Sequence, residues 1–119
     1  GSLYRYTLTN AYSSGFAGVS MGIARGMLDA FKAMAMTKTP AATTRLLRDS
    51  EVIQSGVARA EATLRSARAF LLEVLEESRE RVERSGGLSA DDRMDVRLAT
   101  TSAIHRAKEV AEWVYHEAG

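Results

Sequence analysis

Cysteine is absent from these 119 residues. That excludes disulfides, zinc–thiolate centres and cysteine nucleophiles, and it makes a reducing cytoplasm the expected compartment. Surplus charge of one sign is also missing: 16 basic and 15 acidic residues are interspersed, for a net +1. A protein that holds nucleic acid by its phosphates carries a concentrated basic surplus, so no nucleic-acid partner is expected. Nor is there a long hydrophobic run. The stretch from Thr7 to Ala24 lacks charge but is threaded with Thr, Asn, Ser, Gly and Tyr, too polar for a bilayer span. No membrane partner is expected, and no signal peptide opens the sequence as given. Gly1-Ser2 carry no weight in the reading.

The single proline, Pro40, leaves long stretches free to be helical. Three segments carry helical periodicity and none shows strand-like alternation, so the fold class is all-α. A single helical domain over residues 1–119 is expected, with helices at about 10–36, 49–85 and 89–118, antiparallel in order. In the first, Tyr12, Phe16, Val19, Ile23, Met27, Ala30 and Met34 follow one continuous stripe, and Met21, Leu28 and Phe31 form a further apolar set. Gly15, Gly18, Gly22 and Gly26 also share a face. Each glycine costs a helix interior roughly 0.8–1 kcal/mol relative to alanine, so the smooth face implies close backbone approach, by a packed helix or by a bound group.

Residues 36–48 read as a loop, because Thr37-Lys38-Thr39-Pro40 and Thr43-Thr44 are poor helix formers and Pro40 disfavours helix at Thr39. Asp49 or Ser50 should cap the second helix. Its seam is Ile53, Val57, Ala60, Leu64, Ala67, Leu71 and Val74, the 4-3 spacing of near-parallel helix packing. The charged stretch Glu73–Arg84 reads as a solvated tip, with Glu77→Arg81 and Glu80→Arg84 in the favourable i,i+4 order, and Gly86-Gly87 ends it. Ser89-Ala90-Asp91-Asp92 resembles a capping box for the third helix, whose seam is Val96, Thr100, Ala103, Ala107, Val110 and Val114.

Candidates for chemistry are few. His105 and His116 lie eleven residues apart, roughly 16 Å along a helix, too far to share a metal. Ser102 and Trp113 precede them by three, so the Glu-x-x-His of a di-iron bundle is missing. Both are expected on the helix surface beside Glu109 and Glu112, and no metal site is assigned. No phosphate-cradling GxxxxGK[ST] or dinucleotide GxGxxG occurs, and neither a nucleophile elbow nor a Ser-His-Asp triad is proposed. One cationic group remains: Lys38, Thr39, Arg45 and Arg48, with Thr43, around the start of helix two. A helix N-terminus with nearby cations suits a phosphate or pyrophosphate; exposed loop cations without a ligand are the alternative.

The order of features resembles a known family. Leu3-Tyr4-Arg5, then Gly22-Ile23-Ala24-Arg25-Gly26-Met27-Leu28-Asp29-Ala30-Phe31, then Leu47-Arg48-Asp49-Ser50-Glu51-Val52-Ile53-Gln54 and Ala58-Arg59-Ala60-Glu61-Ala62, are similar to the C-terminal helical domain of the acyl-CoA dehydrogenase superfamily. Leu88-Ser89-Ala90-Asp91-Asp92-Arg93 and Ala111–Gly119 continue the likeness. The loop lacks the family's Arg-x-x-Phe-Gly, and position 51 is Glu in place of Gln, which resembles the type 2 branch of flavin-dependent monooxygenases acting on hydroxyphenylacetate and dibenzothiophene. The resemblance implies an antiparallel four-helix bundle here lacking its last helix, cut from a longer flavin-dependent oxidoreductase of the dehydrogenase or two-component monooxygenase type. It further implies FAD or FMN in the parent protein, a homotetrameric parent, and a loop after helix one that reaches a neighbouring subunit's flavin; the cofactor-binding candidates are then Lys38, Thr39, Arg45 and Arg48. The branch's catalytic histidine belongs to the last helices. Neither His105 nor His116 matches it, so no catalytic residue is assigned, and these residues alone are expected neither to bind flavin tightly nor to turn over substrate. Unpaired apolar faces predict self-association as a two-fold dimer. The competing reading is a free-standing helical module that binds partner helices.

Overall fold

The computed structural model describes the backbone of residues 2–37 and 44–119 and the side chains of residues 12–35 and 50–119. Helix α1 spans Ser2–Thr37, α2 spans Thr44–Ser85 and α3 spans Ala90–Ala118. No strand occurs among the described residues. The helices lie side by side in a rod 64 Å long and 18 × 17 Å across. α3 packs along both α1 and α2, while α1 and α2 touch each other only sparingly.

Two helices start earlier than their capping signals suggest. α1 is helical from Ser2 and not from Asn10, because nothing between them is a glycine or proline that would stop a helix from running back. α2 begins at Thr44 and not at Asp49. Leu46-Leu47 and the flanking arginines are good helix formers, and they outweigh the preference of Asp49 and Ser50 for a cap. The expected loop 36–48 is therefore helical at both ends; residues 38–43, including Pro40, lie outside the described residues.

The α2–α3 connection forms as its residues dictate. Gly86 takes φ +80°, a left-handed conformation open to glycine, and its N–H closes the helix on the Val82 carbonyl at 2.8 Å. Ser89 caps α3: its hydroxyl accepts from the Asp92 N–H at 3.1 Å, and the Asp92 carboxylate accepts from the Ser89 N–H at 3.0 Å. Asp92 also takes Arg81 Nη1 at 2.7 Å, tying α2 to α3. The backbone hydrogen bond from Ser89, the capping hydroxyl and the Arg81 charge hold its carboxyl below the usual range.

The core forms where three seams meet. α2 contributes Ala60, Leu64, Ala67, Leu71 and Val74, with Ile53 and Val57 half-buried at its upper end. All six seam residues of α3 are buried, and Ala99 joins them. α1 uses the lesser of its two apolar sets. Ala17, Met21, Ala24, Leu28 and Phe31 face inward, while Tyr12, Phe16, Val19 and Ile23 are about three-fifths exposed or more. The reason lies in the partner: the α3 seam is mostly alanine and valine, and the alternating alanines of α1 let the two backbones close while Met21, Leu28 and Phe31 fill the gaps. Glu77–Arg81 and Glu80–Arg84 pair at 3.9 and 3.7 Å along α2. This stretch is not a bare tip, since Val74 and Ser78 are buried in it.

At the opposite end Trp113 of α3 locks the bundle. Its ring meets Phe31 of α1 edge-on, with centroids 5.3 Å apart and planes at 73°. Its other edge lies against the bare Cα of Gly56 in α2. One aromatic side chain thus touches all three helices' packing at that end.

Candidate functional site

Three surfaces of the rod could meet another molecule. The first is the cationic start of α2. Arg45 and Arg48 lie on its opening turns, and the first turn carries no acidic residue. Lys38, Thr39 and Thr43 lie outside the described residues, so the expected four-residue cluster of Lys38, Thr39, Arg45 and Arg48 is placed only through the backbone of its last two members. Arg45 and Arg48 belong to the helix and not to the loop.

The second surface is the outer face of α1. A Cβ added at Gly15, Gly18, Gly22 or Gly26 would meet nothing within 4 Å. The glycines therefore serve no close helix contact among the described residues. Beside them stand Tyr12, Phe16, Val19 and Ile23, exposed at 68, 61, 62 and 58%. Tyr12 and Phe16 sit together, their ring centroids 5.9 Å apart. Four large apolar groups in a row on one exposed face exceed the scattered hydrophobics normal to a surface.

The third is a groove of about 480 Å³ between α1 and α2, on the side away from α3. Gly18, Met21 and Gly22 form one wall, and Leu64, Leu71 and Leu72 the other. Arg25, Arg65 and Arg68 also line it. Its upper end is closed by an ion cluster around Glu61. Arg25 grips that carboxylate with both terminal nitrogens, at 2.8 and 2.9 Å; Lys32 Nζ donates at 2.7 Å and Arg65 Nε at 3.1 Å. The Lys32 hydrogen bond, then the charges of Arg25, Lys32 and Arg65, pull the Glu61 carboxyl below its usual range against the opposing effect of burial. Glu61 is a bridge between helices already saturated with donors, which leaves it no capacity as a general base.

Other chemical candidates fall away on geometry. His105 and His116 are exposed. Glu109 and Glu112, expected beside them, pair instead with Arg106 at 2.7 Å and Lys108 at 3.7 Å, three and four residues away along the same helix face. Gly18-Val19-Ser20-Met21-Gly22 spells the letters of a nucleophile elbow. It lies in the middle of α1 with helix on both sides, whereas an elbow needs a strand-to-helix turn to expose its serine. No group of histidines and carboxylates able to hold a metal occurs among the described residues, and no helix among them is long and apolar enough to cross a membrane.

The fold is a rod of three long helices with part of its apolar surface exposed. Comparison with known proteins identifies its family. Residues 14–119 match the model of the acyl-CoA dehydrogenase C-terminal domain, and the chain belongs to that family. It is 36% identical over 108 residues to an indole-3-acetate monooxygenase of Pseudomonas putida. The match covers 91% of this chain but only 28% of that relative, so the chain spans little more than a quarter of the relative's length.

Proposed function

We propose that these residues form the C-terminal helical domain of a flavin-dependent monooxygenase, with assembly and completion of the flavin site as the domain's own work. The observation that carries this reading is the 36% identity, across nine-tenths of the chain, to indole-3-acetate monooxygenase. The missing Arg-x-x-Phe-Gly and Glu51 agree with a branch distinct from acyl-CoA desaturation. FAD or FMN is the cofactor of the whole protein, which works in the cytoplasm on a small aromatic substrate.

The residues present fit one part of a flavin. The start of α2 carries two arginines three residues apart and no first-turn carboxylate, at the helix end whose dipole favours a phosphate or pyrophosphate. Arg45 and Arg48, with Lys38 and Thr39, would hold that anionic end. These residues would hold and orient the flavin, whose reduced form would supply the activation of dioxygen, and no proton carrier of the reaction is assigned among them. The groups missing from this chain hold the rest of the flavin, so the 119 residues alone bind it weakly and are inactive.

Assembly follows from the outer face of α1, whose apolar row needs cover. The 119-residue chain is a two-fold dimer in this reading, and the whole protein a tetramer. Two measurements test it. The full-length polypeptide, given reduced flavin and oxygen, should convert indole-3-acetate to a product carrying one oxygen atom from dioxygen; reduction of oxidised flavin by an acyl-CoA, with no oxygenated product from indole-3-acetate, would return the protein to the dehydrogenases. Sedimentation equilibrium of the 119-residue chain should give twice its 13.0 kDa mass, and a single species at that mass would remove the assembly role.

A further inference from the structure

Trp113 stands between the two helices that meet least. α1 and α2 touch each other only sparingly. Glu61 of α2 bridges to Arg25 and Lys32 of α1, and the indole of Trp113, carried by α3, lies between Phe31 of α1 and Gly56 of α2. The ring is half-buried, flat and rigid, so its dimensions fix how far Phe31 and Gly56 stand apart. Gly56 presents bare backbone to it, and a Cβ at that position would overlap the ring.

Beyond this spacer lies the start of α2. Among the described residues Phe31 is the last buried residue of α1, and Ile53 is the first residue of α2 packed on the core. From Gly56 the helix runs back eight residues to Arg48 and eleven to Arg45, about 12 and 16 Å. A tilt of about 4° at Gly56 carries Arg45 about 1 Å sideways. A misplacement of about 1 Å in a group that holds a ligand can cost about 100-fold. We propose that Trp113 is a positioning residue for the anionic end of the flavin, acting through Gly56 and Phe31 to set the angle at which α2 presents Arg45 and Arg48 beside the end of α1. This inference rests on the reading of the α2 start as the flavin's phosphate site. The indole itself touches no ligand. Its effect is confined to the part of the flavin that those arginines hold, and FMN and riboflavin differ only in that phosphate.

The full-length polypeptide is titrated without oxygen with reduced FMN and with reduced riboflavin, followed by calorimetry. Trp113→Leu keeps an apolar side chain in the core and loses the ring. It should bind FMN about tenfold or more weakly, and riboflavin within about twofold of the native protein. Trp113→Phe, which keeps a ring against Phe31, should recover most of the difference. Val96→Ala, a buried position about 26 Å along the same helix, should leave the ratio of the two affinities at its native value. A second measurement needs no flavin. Spin labels at Ala35→Cys and Arg45→Cys, on a background otherwise free of cysteine, should change their separation by about 1 Å or more in Trp113→Leu. Unchanged label separation, unchanged FMN affinity, equal weakening of both ligands, or the same loss in Val96→Ala overturns the proposal. A native protein that held riboflavin as tightly as FMN would remove the phosphate reading of the α2 start and this role with it. The label separation would then still report whether the ring sets the helix angle.

Discussion

Gly56→Ala decides whether the packing around Trp113 governs this fold, because two effects of opposite sign meet at that position. In an unobstructed helix interior the change should stabilise by roughly 0.8–1 kcal/mol through helix propensity. Here the new Cβ would overlap Trp113 Cζ2 outright and come within 2.8 Å of Cε2 and 3.2 Å of Cη2. These are the middle of a rigid ring and not the end of a flexible chain, so relief requires moving the indole off Phe31 or parting α2 from α3. Overpacking of this kind costs about 1–3 kcal/mol and losing the edge-on aromatic pair about 0.5–1.5 more. The balance is a net destabilisation of about 1–3 kcal/mol. Urea unfolding, with a slope of about 1–3 kcal/mol per molar, should show a midpoint lowered by roughly 1 M. Trp113 is the only tryptophan, so its native emission should shift to the red in the variant. Gly22→Ala is the control, since its Cβ meets nothing; it should stabilise by up to about 1 kcal/mol with native emission unchanged. If Gly56→Ala proved as stabilising as Gly22→Ala, the indole would not be seated on Gly56 and the account of that end of the bundle would be wrong.

Leu28→Ala, at a position with no exposed surface, should cost about 2–5 kcal/mol in the same urea titration; a cost below 1 kcal/mol would place Leu28 outside the core. Ser89→Ala should remove about 1 kcal/mol by loss of the α3 cap, with faster amide exchange at Asp92 as its local signature. Glu61 has a carboxyl depressed below its ordinary 4.5, so its contribution to stability is fully present above that value and is lost as pH falls through the lower folded value. Thermal unfolding followed from pH 7 to pH 3 should therefore fall more steeply for the native chain than for Glu61→Gln, the difference confined to pH below about 5; parallel curves would mean the cluster contributes nothing linked to protonation.

Local features were legible from the residues alone because their energetics are local. The capping box at Ser89–Asp92 and the stop at Gly86 depend on groups within three or four residues of each other. The seams of α2 and α3 were equally plain, since each helix has one apolar stripe and so one possible inward face. Family membership was readable too, as ordered motifs from Leu3 to Gly119.

α1 is the case where sequence could not choose. It carries two apolar sets on different faces, and periodicity does not choose between them; the larger, Tyr12–Phe16–Val19–Ile23, points outward. Only the alanine-rich seam of α3, distant in sequence, selects Ala17, Ala24 and Leu28 for the interior, since close packing depends on the shape of both surfaces at once. The same holds for Trp113, whose seat on Gly56 joins residues 57 apart, and for the groove between α1 and α2, whose walls come from residues as distant in sequence as Gly18 and Leu72. Periodicity along a chain determines which residues can share a face. Which face is buried, and which is left for another molecule, is settled by the neighbour it meets.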